Sequence, residues 1–386
     1  MFDRTLNLAE LAQKKSLFLF GPRSTGKTTL LRSQFSDGAI INLLKSSVYL
    51  PLAANPSLLG EVVRDMRRAH PVIIIDEIQK LPPLLDEVHD LIEREGIRFV
   101  LTGSSARKLK RSGVNLLAGR AWQTNLFPLS SAEIPDFDIN RYLRFGGLPQ
   151  VYTSDWPEEE LDAYLNTYLK EEIQAEALVH QLTHFSRFLK TAAACHAEQV
   201  NFANVASDSG IPASTVKGYF SILEDTFTGS MLPAWRASTK RKAVATPKFY
   251  FFDPGVANFL RGQTTLGENS AEFGKAFEHF ILMEIQSCLS YRRIRKEISY
   301  WRTQGGTEVD FLIGNDTAIE VKASRNISNK HLKGLRALKE EGQFKQFFLV
   351  SFDETNRETD DGIRLLYWKS FTEKLWGNGE ILCPSP

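Results

Sequence analysis

The chain has 386 residues, 42% of them hydrophobic, enough for two or three domains that each bury a core. Its 47 Lys and Arg against 46 Asp and Glu leave a net charge of +1, so nucleic acid or a membrane would have to be met by local patches rather than by a global charge excess. Cys195, Cys288 and Cys383 are odd in number and lack CxxC spacing, which argues against a disulfide framework and a zinc site; the apolar runs are far shorter than the roughly 20 residues of a membrane span, Asp3 and Glu10 spoil a signal peptide, and a cytoplasmic protein is expected.

Short apolar runs at 17–20, 39–44, 72–76, 98–102 and 122–127 alternate with helical stretches near 27–34, 57–68, 84–94 and 105–117. That order predicts a parallel sheet covered on both faces. The first run ends in "FLFGPRSTGKTTLL", residues 18–31, with the spacing G-x-x-x-x-G-K-[ST]. A strand ending at Phe20, a glycine-bearing loop and a helix opening near Lys27 make a nest of backbone N–H groups suited to phosphate oxygens. Gly21, Pro22, Arg23, Ser24, Thr25, Gly26, Lys27, Thr28 and Thr29 are the expected nucleotide-binding residues, with Lys27 reaching the β- and γ-phosphates of ATP and the Thr28 hydroxyl on Mg²⁺.

"PVIIIDEIQKLP", residues 71–82, supplies a buried strand with Asp76 at its C-terminal end, placed to hold Mg²⁺ through water, and Glu77 as a general base for the attacking water. Capping of the next helix is the alternative for both carboxylates. A third strand, expected between the other two in space, ends in Thr102, Ser104 and Ser105; one of these hydroxyls, Ser104 foremost, can face the γ-phosphate or simply cap a helix. Arg107, Lys108, Lys110, Arg111 and Arg120 follow without an acid; Arg120 or Arg107 is a candidate arginine finger on a neighbouring subunit's nucleotide, a solvated cationic face being the alternative.

The set "GPRSTGKTTL", "IIIDEIQKLP", "VLTGSSARKL", "LAGRAWQTNLFPLS" and "FGGLPQVY" resembles the AAA+-superfamily ATPases paired with a DUF4143-type C-terminal region, over essentially the whole chain. The resemblance implies an additional-strand P-loop ATPase core, usually ring- or oligomer-forming, in a group often discussed with DNA-associated or defence ATPases.

From about 136 to 195 the sequence is helix-rich and aromatic, opened by the turn "FGGLPQVY". Residues 200–225 carry a helix-turn-helix pattern: Gly210 supplies the turn, Val216, Tyr219, Phe220 and Leu223 an apolar face, and Ser214, Thr215 and Lys217 a surface for a DNA groove. Between Met231 and Gly262 stand Arg236, Lys240, Arg241, Lys242, Lys248 and Arg261 against the single acid Asp253, where a winged-helix hairpin with "KFYFFD" as its second strand would bind phosphates; a protein contact or an ATPase lid is the alternative.

Beyond 270 a helix displaying Glu278 precedes strands that carry Asp310 and then Glu320 and Lys322, the last two on one face because side chains alternate along a strand. Carboxylates so placed can chelate Mg²⁺ while the lysine stabilises phosphate charge. The set resembles the PD-(D/E)xK nuclease fold, with Asp310, Glu320 and Lys322 matching its signature and Glu278 its upstream helical acid; a salt-bridged hairpin or a scaffold without cleavage is the alternative.

The expectation is therefore an α/β protein: a P-loop AAA+-type parallel-sheet ATPase domain (1–135), a helical lid with a winged-helix-like region (136–262) and an α/β restriction-endonuclease-like domain (263–386). Its function is read as Mg²⁺-dependent ATP hydrolysis coupled to DNA binding or remodelling by an oligomer. Glu77, Lys27, Arg120, Asp310, Glu320 and Lys322 are its catalytic residues, and Thr28, Asp76, Glu278, Asp310 and Glu320 its metal ligands. The rivals are a nucleotide switch that binds a protein partner and a nuclease regulated by ATP.

Overall fold

The computed structural model describes residues 2–105, 107, 109, 117–169, 182–263, 265–377 and 379–382. The expected helix at 105–117 therefore lies largely outside the described residues, as do Lys108, Lys110, Arg111 and Cys383. The chain forms two compact units: the first runs to Phe127 and includes Ser221–Thr228, and the second holds most of the remainder from Pro128 onward. Among the described residues no helix is long and apolar enough to cross a membrane, and Cys195 is a free thiol.

In the first unit β1 (Ser16–Phe20), β2 (Ile40–Asn42), β3 (Val72–Asp76), β4 (Arg98–Gly103) and β5 (Ala121–Asn125) form a wholly parallel sheet in the order β2-β3-β4-β1-β5. The β-branched run Val72–Ile75 suits a strand covered on both faces, and every residue of β1 and β3 is buried. The helix Leu84–Glu95 buries Leu84, Leu85, Val88 and Leu91, one stripe at helical spacing, and stops at Gly96, whose φ of 62° gives the left-handed cap. The helix Ser46–Ala54 was not expected, because Pro51 inside it reads as a breaker.

In the second unit β6 (Glu198–Gln199), β7 (Gly229–Leu232) and β8 (Lys248–Phe251) form an antiparallel sheet in the order β6-β8-β7. A mixed sheet of β9 (Ile298–Arg302), β10 (Glu308–Ile313), β11 (Thr317–Lys322), β12 (Gln346–Ser351), β13 (Arg357–Glu358) and β14 (Ile363–Tyr367) has the order β13-β14-β12-β11-β10-β9. The helix Ala271–Tyr291 turns an almost continuous series of buried side chains into this unit.

The basic connection between β7 and β8 is not a free hairpin. It lies along the edge strand β9, with Trp235 N donating to Tyr300 O at 2.7 Å and Val244 N to Arg302 O at 2.8 Å. The turn of "FGGLPQVY" also has a local cause: Gly146, at φ 80°, is so close to Asp253 that a β-carbon there would stand 1.9 Å from Oδ1, and Gly147 N donates to Asp253 Oδ2 at 2.8 Å. Burial lifts the Asp253 carboxyl to about 6 against the pull of these backbone donors.

Candidate functional site

At the C-terminal edge of the parallel sheet the ends of β1, β3 and β4 stand side by side, β4 between the other two as expected. Gly21 must be glycine: at φ 152° its β-carbon would meet Leu126 O at 2.4 Å. Ser24 at φ 62° and Gly26 at φ 92° turn the loop, and Gly26 caps the helix Lys27–Gln34. Lys27, 6% exposed, reaches back over the loop and donates to Gly21 O at 2.7 Å and Pro22 O at 2.8 Å. Thr25 Oγ1 donates to Pro22 O, while Ser24 and Thr29 are exposed and Arg23 is half-buried.

Thr28 Oγ1 donates to Asp76 Oδ2 at 3.2 Å, and Thr102 Oγ1 to Asp76 Oδ1 at 2.5 Å. Thr102 also receives Glu77 N at 3.0 Å, so one hydroxyl ties β4 to both carboxylate residues. Glu77 sits at φ 65°, a left-handed conformation that costs a non-glycine residue of order 1–3 kcal/mol and persists only when its surroundings hold it. Its carboxylate receives Gln79 Nε2 at 2.5 Å, and the same nitrogen reaches Ser104 Oγ at 3.2 Å. Among the described residues neither Asp76 nor Glu77 forms an ion pair; both are met by neutral hydroxyls or an amide. Gln79 was missed in the sequence because an amide two residues past a base carries no spacing signal of its own.

The expected arginines lie elsewhere. Arg120 precedes β5, whose first residue pairs with Ser16 at the opposite end of β1 from the glycine loop, and its guanidinium pairs with Glu93. Arg107 is held by Asp225 at 2.9 Å. Ser105 Oγ accepts Arg107 N.

In the second unit β10 and β11 run antiparallel with Phe311 opposite Ile319, and Asp310 and Glu320 are the residues just beyond that pair on the two strands. Lys322 Nζ lies 2.5 Å from Glu320 Oε1 and 3.8 Å from Asp310 Oδ2, and Val321 N donates to Asp310 Oδ2 at 2.8 Å. The sequence set Lys248 among surface cations. It is instead buried, 2.5 Å from Glu308 Oε1 and 3.2 Å from Glu278 Oε1, and Tyr250 donates its hydroxyl to Glu278. Burial pushes the Glu320 carboxyl well above its usual range, Asp310 adding to this and Lys322 opposing it. Glu278 is raised by burial against Lys248. Both lysines are opposed by burial yet held above the ordinary lysine value, Lys248 chiefly by Glu278 and Lys322 chiefly by Asp310 and Glu320. Among the described residues no three His, Cys, Asp or Glu side chains converge as a metal-holding group.

Helices Phe202–Ser209 and Ala213–Asp225 flank Gly210, at φ 65°. Ser214 and Lys217 are exposed, Thr215 half-buried. Of the basic patch, Arg236, Lys240 and Lys242 are exposed, Arg241 pairs with Glu340 and Arg261 with Glu272.

Residues 13–135 match the family model described as an AAA domain, 136–267 a domain of unknown function, DUF8612, and 273–371 a second domain of unknown function, DUF4143. An AAA-type domain and a DUF4143 domain are thus present; the former makes residues 13–135 a domain of P-loop NTPase type and broadly implies nucleotide binding. An uncharacterized protein of Haemophilus influenzae is 23% identical over 231 residues, 55% of this chain and 56% of that protein, so the chain spans little more than half the length of this relative. An uncharacterized protein of Methanocaldococcus jannaschii is 21% identical over 357 residues, 83% of this chain and 77% of its own.

Proposed function

We propose that this protein hydrolyses ATP with Mg²⁺ as an oligomer and couples turnover to DNA held by its second unit. The observation that carries the hydrolysis is the pair of carboxylates at the end of β3, Asp76 and Glu77, oriented by neutral groups and lying beside the glycine loop. The fit is chemical as well as positional. A hydroxyl and a carboxylate 3.2 Å apart are oxygen donors suited to a hard cation, and a loop in which Gly21 has no room for a β-carbon lets backbone approach phosphate closely. When bound, Mg²⁺ neutralises phosphate charge and orients the phosphoryl group for displacement. Thr28 holds it through its hydroxyl and Asp76 through water. Lys27 exchanges its loop carbonyls for phosphate oxygens, Gly21 to Thr29 supply the cradle, Glu77 takes the proton of the attacking water, and Ser104 faces the γ-phosphate.

For the remainder, Arg120 acts on a neighbouring subunit, since it stands at the far end of its own sheet. Exposed Ser214, Lys217, Arg236, Lys240 and Lys242 supply the DNA contacts of a winged-helix-like region. The nuclease-like cluster of Glu278, Asp310, Glu320 and Lys322 is read as a scaffold, because ammonium groups already lie against one oxygen each of Glu278 and Glu320. Glu77→Gln decides the central claim: ATP affinity is retained while turnover falls by about 10²-fold or more. Normal turnover in that variant removes Glu77 from the mechanism. ATPase activity that DNA does not stimulate turns the reading toward a nucleotide switch with a protein partner.

A further inference from the structure

The amide of Gln79 is buried, with 6% exposure, and its two ends are treated differently. Nε2 serves two acceptors, Glu77 Oε2 at 2.5 Å and Ser104 Oγ at 3.2 Å, while Oε1 has no hydrogen-bond partner. A buried carbonyl left unpaired is costly, and such a cost is tolerated where the other end of the group is needed. The wedge is tight: a β-carbon at Gly103, the last residue of β4, would stand 2.8 Å from Oε1. The backbone of Glu77 is meanwhile fixed by Thr102 Oγ1, leaving the direction of its carboxylate to Gln79.

Resting on the ATPase reading above, we propose that Gln79 is a positioning residue that aims the Glu77 carboxylate and links it to Ser104, so that the base follows the hydroxyl at the end of β4. The amide takes no proton itself. It donates one N–H to each neighbour, and a shift of Ser104 toward a phosphate oxygen draws the amide, and with it the carboxylate, in the same direction.

The test is steady-state ATP hydrolysis by the full chain, with ATP binding and thermal unfolding measured on every variant. Gln79→Leu, similar in size but without the amide, lowers kcat by about 10-fold or more with ATP affinity unchanged. Gln79→Glu, which sets an acceptor in place of the amide N–H donor, lowers kcat in the same sense. Gly103→Ala, which crowds the amide without removing it, lowers kcat in the same sense. The double variant Glu77→Gln, Gln79→Leu is no slower than Glu77→Gln alone, because a residue acting through the base has nothing left to act on. The inference is overturned if Gln79→Leu turns over normally, if its ATP affinity falls in step with kcat, or if the double variant is slower by the product of the two losses. Wild-type turnover by Glu77→Gln is a separate result: it overturns the assignment of the base itself.

Discussion

The carboxylates at the end of β3 and those on β10 and β11 meet their neighbours in opposite ways. Asp76 and Glu77 are oriented by Thr28, Thr102 and Gln79, groups that fix direction without supplying compensating charge. Glu308, Asp310 and Glu320, with Glu278 from the helix, lie against the ammonium groups of Lys248 and Lys322, and Glu308 also meets Arg302. Orientation by neutral groups leaves a charge ready for a cation or a proton. Direct ion pairing holds a fold together and offers less to an incoming cation.

The largest expected effect lies in the second region. Lys248→Met leaves Glu278 and Glu308 without their shared buried partner and lowers unfolding free energy by about 3–5 kcal/mol in denaturant titration. A loss below about 1 kcal/mol would mean that the lysine is dispensable, and the opposition between the two regions would collapse. Next is Lys27→Ala, expected to lower ATP turnover by about 10²-fold or more. A variant that unfolds readily yet still turns over ATP would make Lys27 a structural residue of the same kind as Lys248.

A smaller effect concerns the cations left exposed. Reversing Lys240 and Lys242 to Glu weakens DNA binding at every sequence and flattens the slope of log affinity against log salt by about 0.9 for each duplex phosphate no longer neutralised, read by fluorescence anisotropy over a salt series. Unchanged affinity in the folded variant places the DNA-binding surface elsewhere.

A further effect is one of pH. Burial raises the Glu284 carboxyl to about 7, although Ser131 N and Oγ and Trp376 Nε1 all donate to it. Its ordinary value is 4.5, so between about 4.5 and 7 the folded protein keeps a proton that the unfolded chain has released. This group's share of stability is therefore full below that window and declines as pH rises through it. Glu284→Gln flattens the fall in Tm between about pH 5 and 7.5; an identical slope in the variant assigns the pH dependence to other groups.

The first region was the more legible of the two. A strand, a glycine loop and a helix in direct succession are local, and so is a β-branched run ending in two acids, so both can be read along the chain. Even there Gln79 and the left-handed Glu77 escaped, since each is set by β4 across the sheet. The motifs of the second region are equally visible as residue types, and strands Glu308–Ile313 and Gln346–Ser351 fall where expected. What the sequence could not tell was the partner of Lys248: it looks like one cation among six in a basic stretch, and only folding carries it 30 positions to Glu278 and 60 to Glu308. Charge counted along a chain says little about charge left over after packing.

The segment lying along β9 has a practical consequence. Edge strands present unpaired N–H and C=O groups that invite pairing between molecules, and proteins commonly cover them. Here the cover arrives from some 60 residues upstream, through Trp235 and Val244. A fragment cut at 263 would carry the whole six-stranded sheet yet bare its β9 margin, and would be prone to precipitate during purification. A fragment that keeps the segment from Gly229 retains its own cover, and solubility rather than sequence similarity would then mark where this part of the chain can be divided.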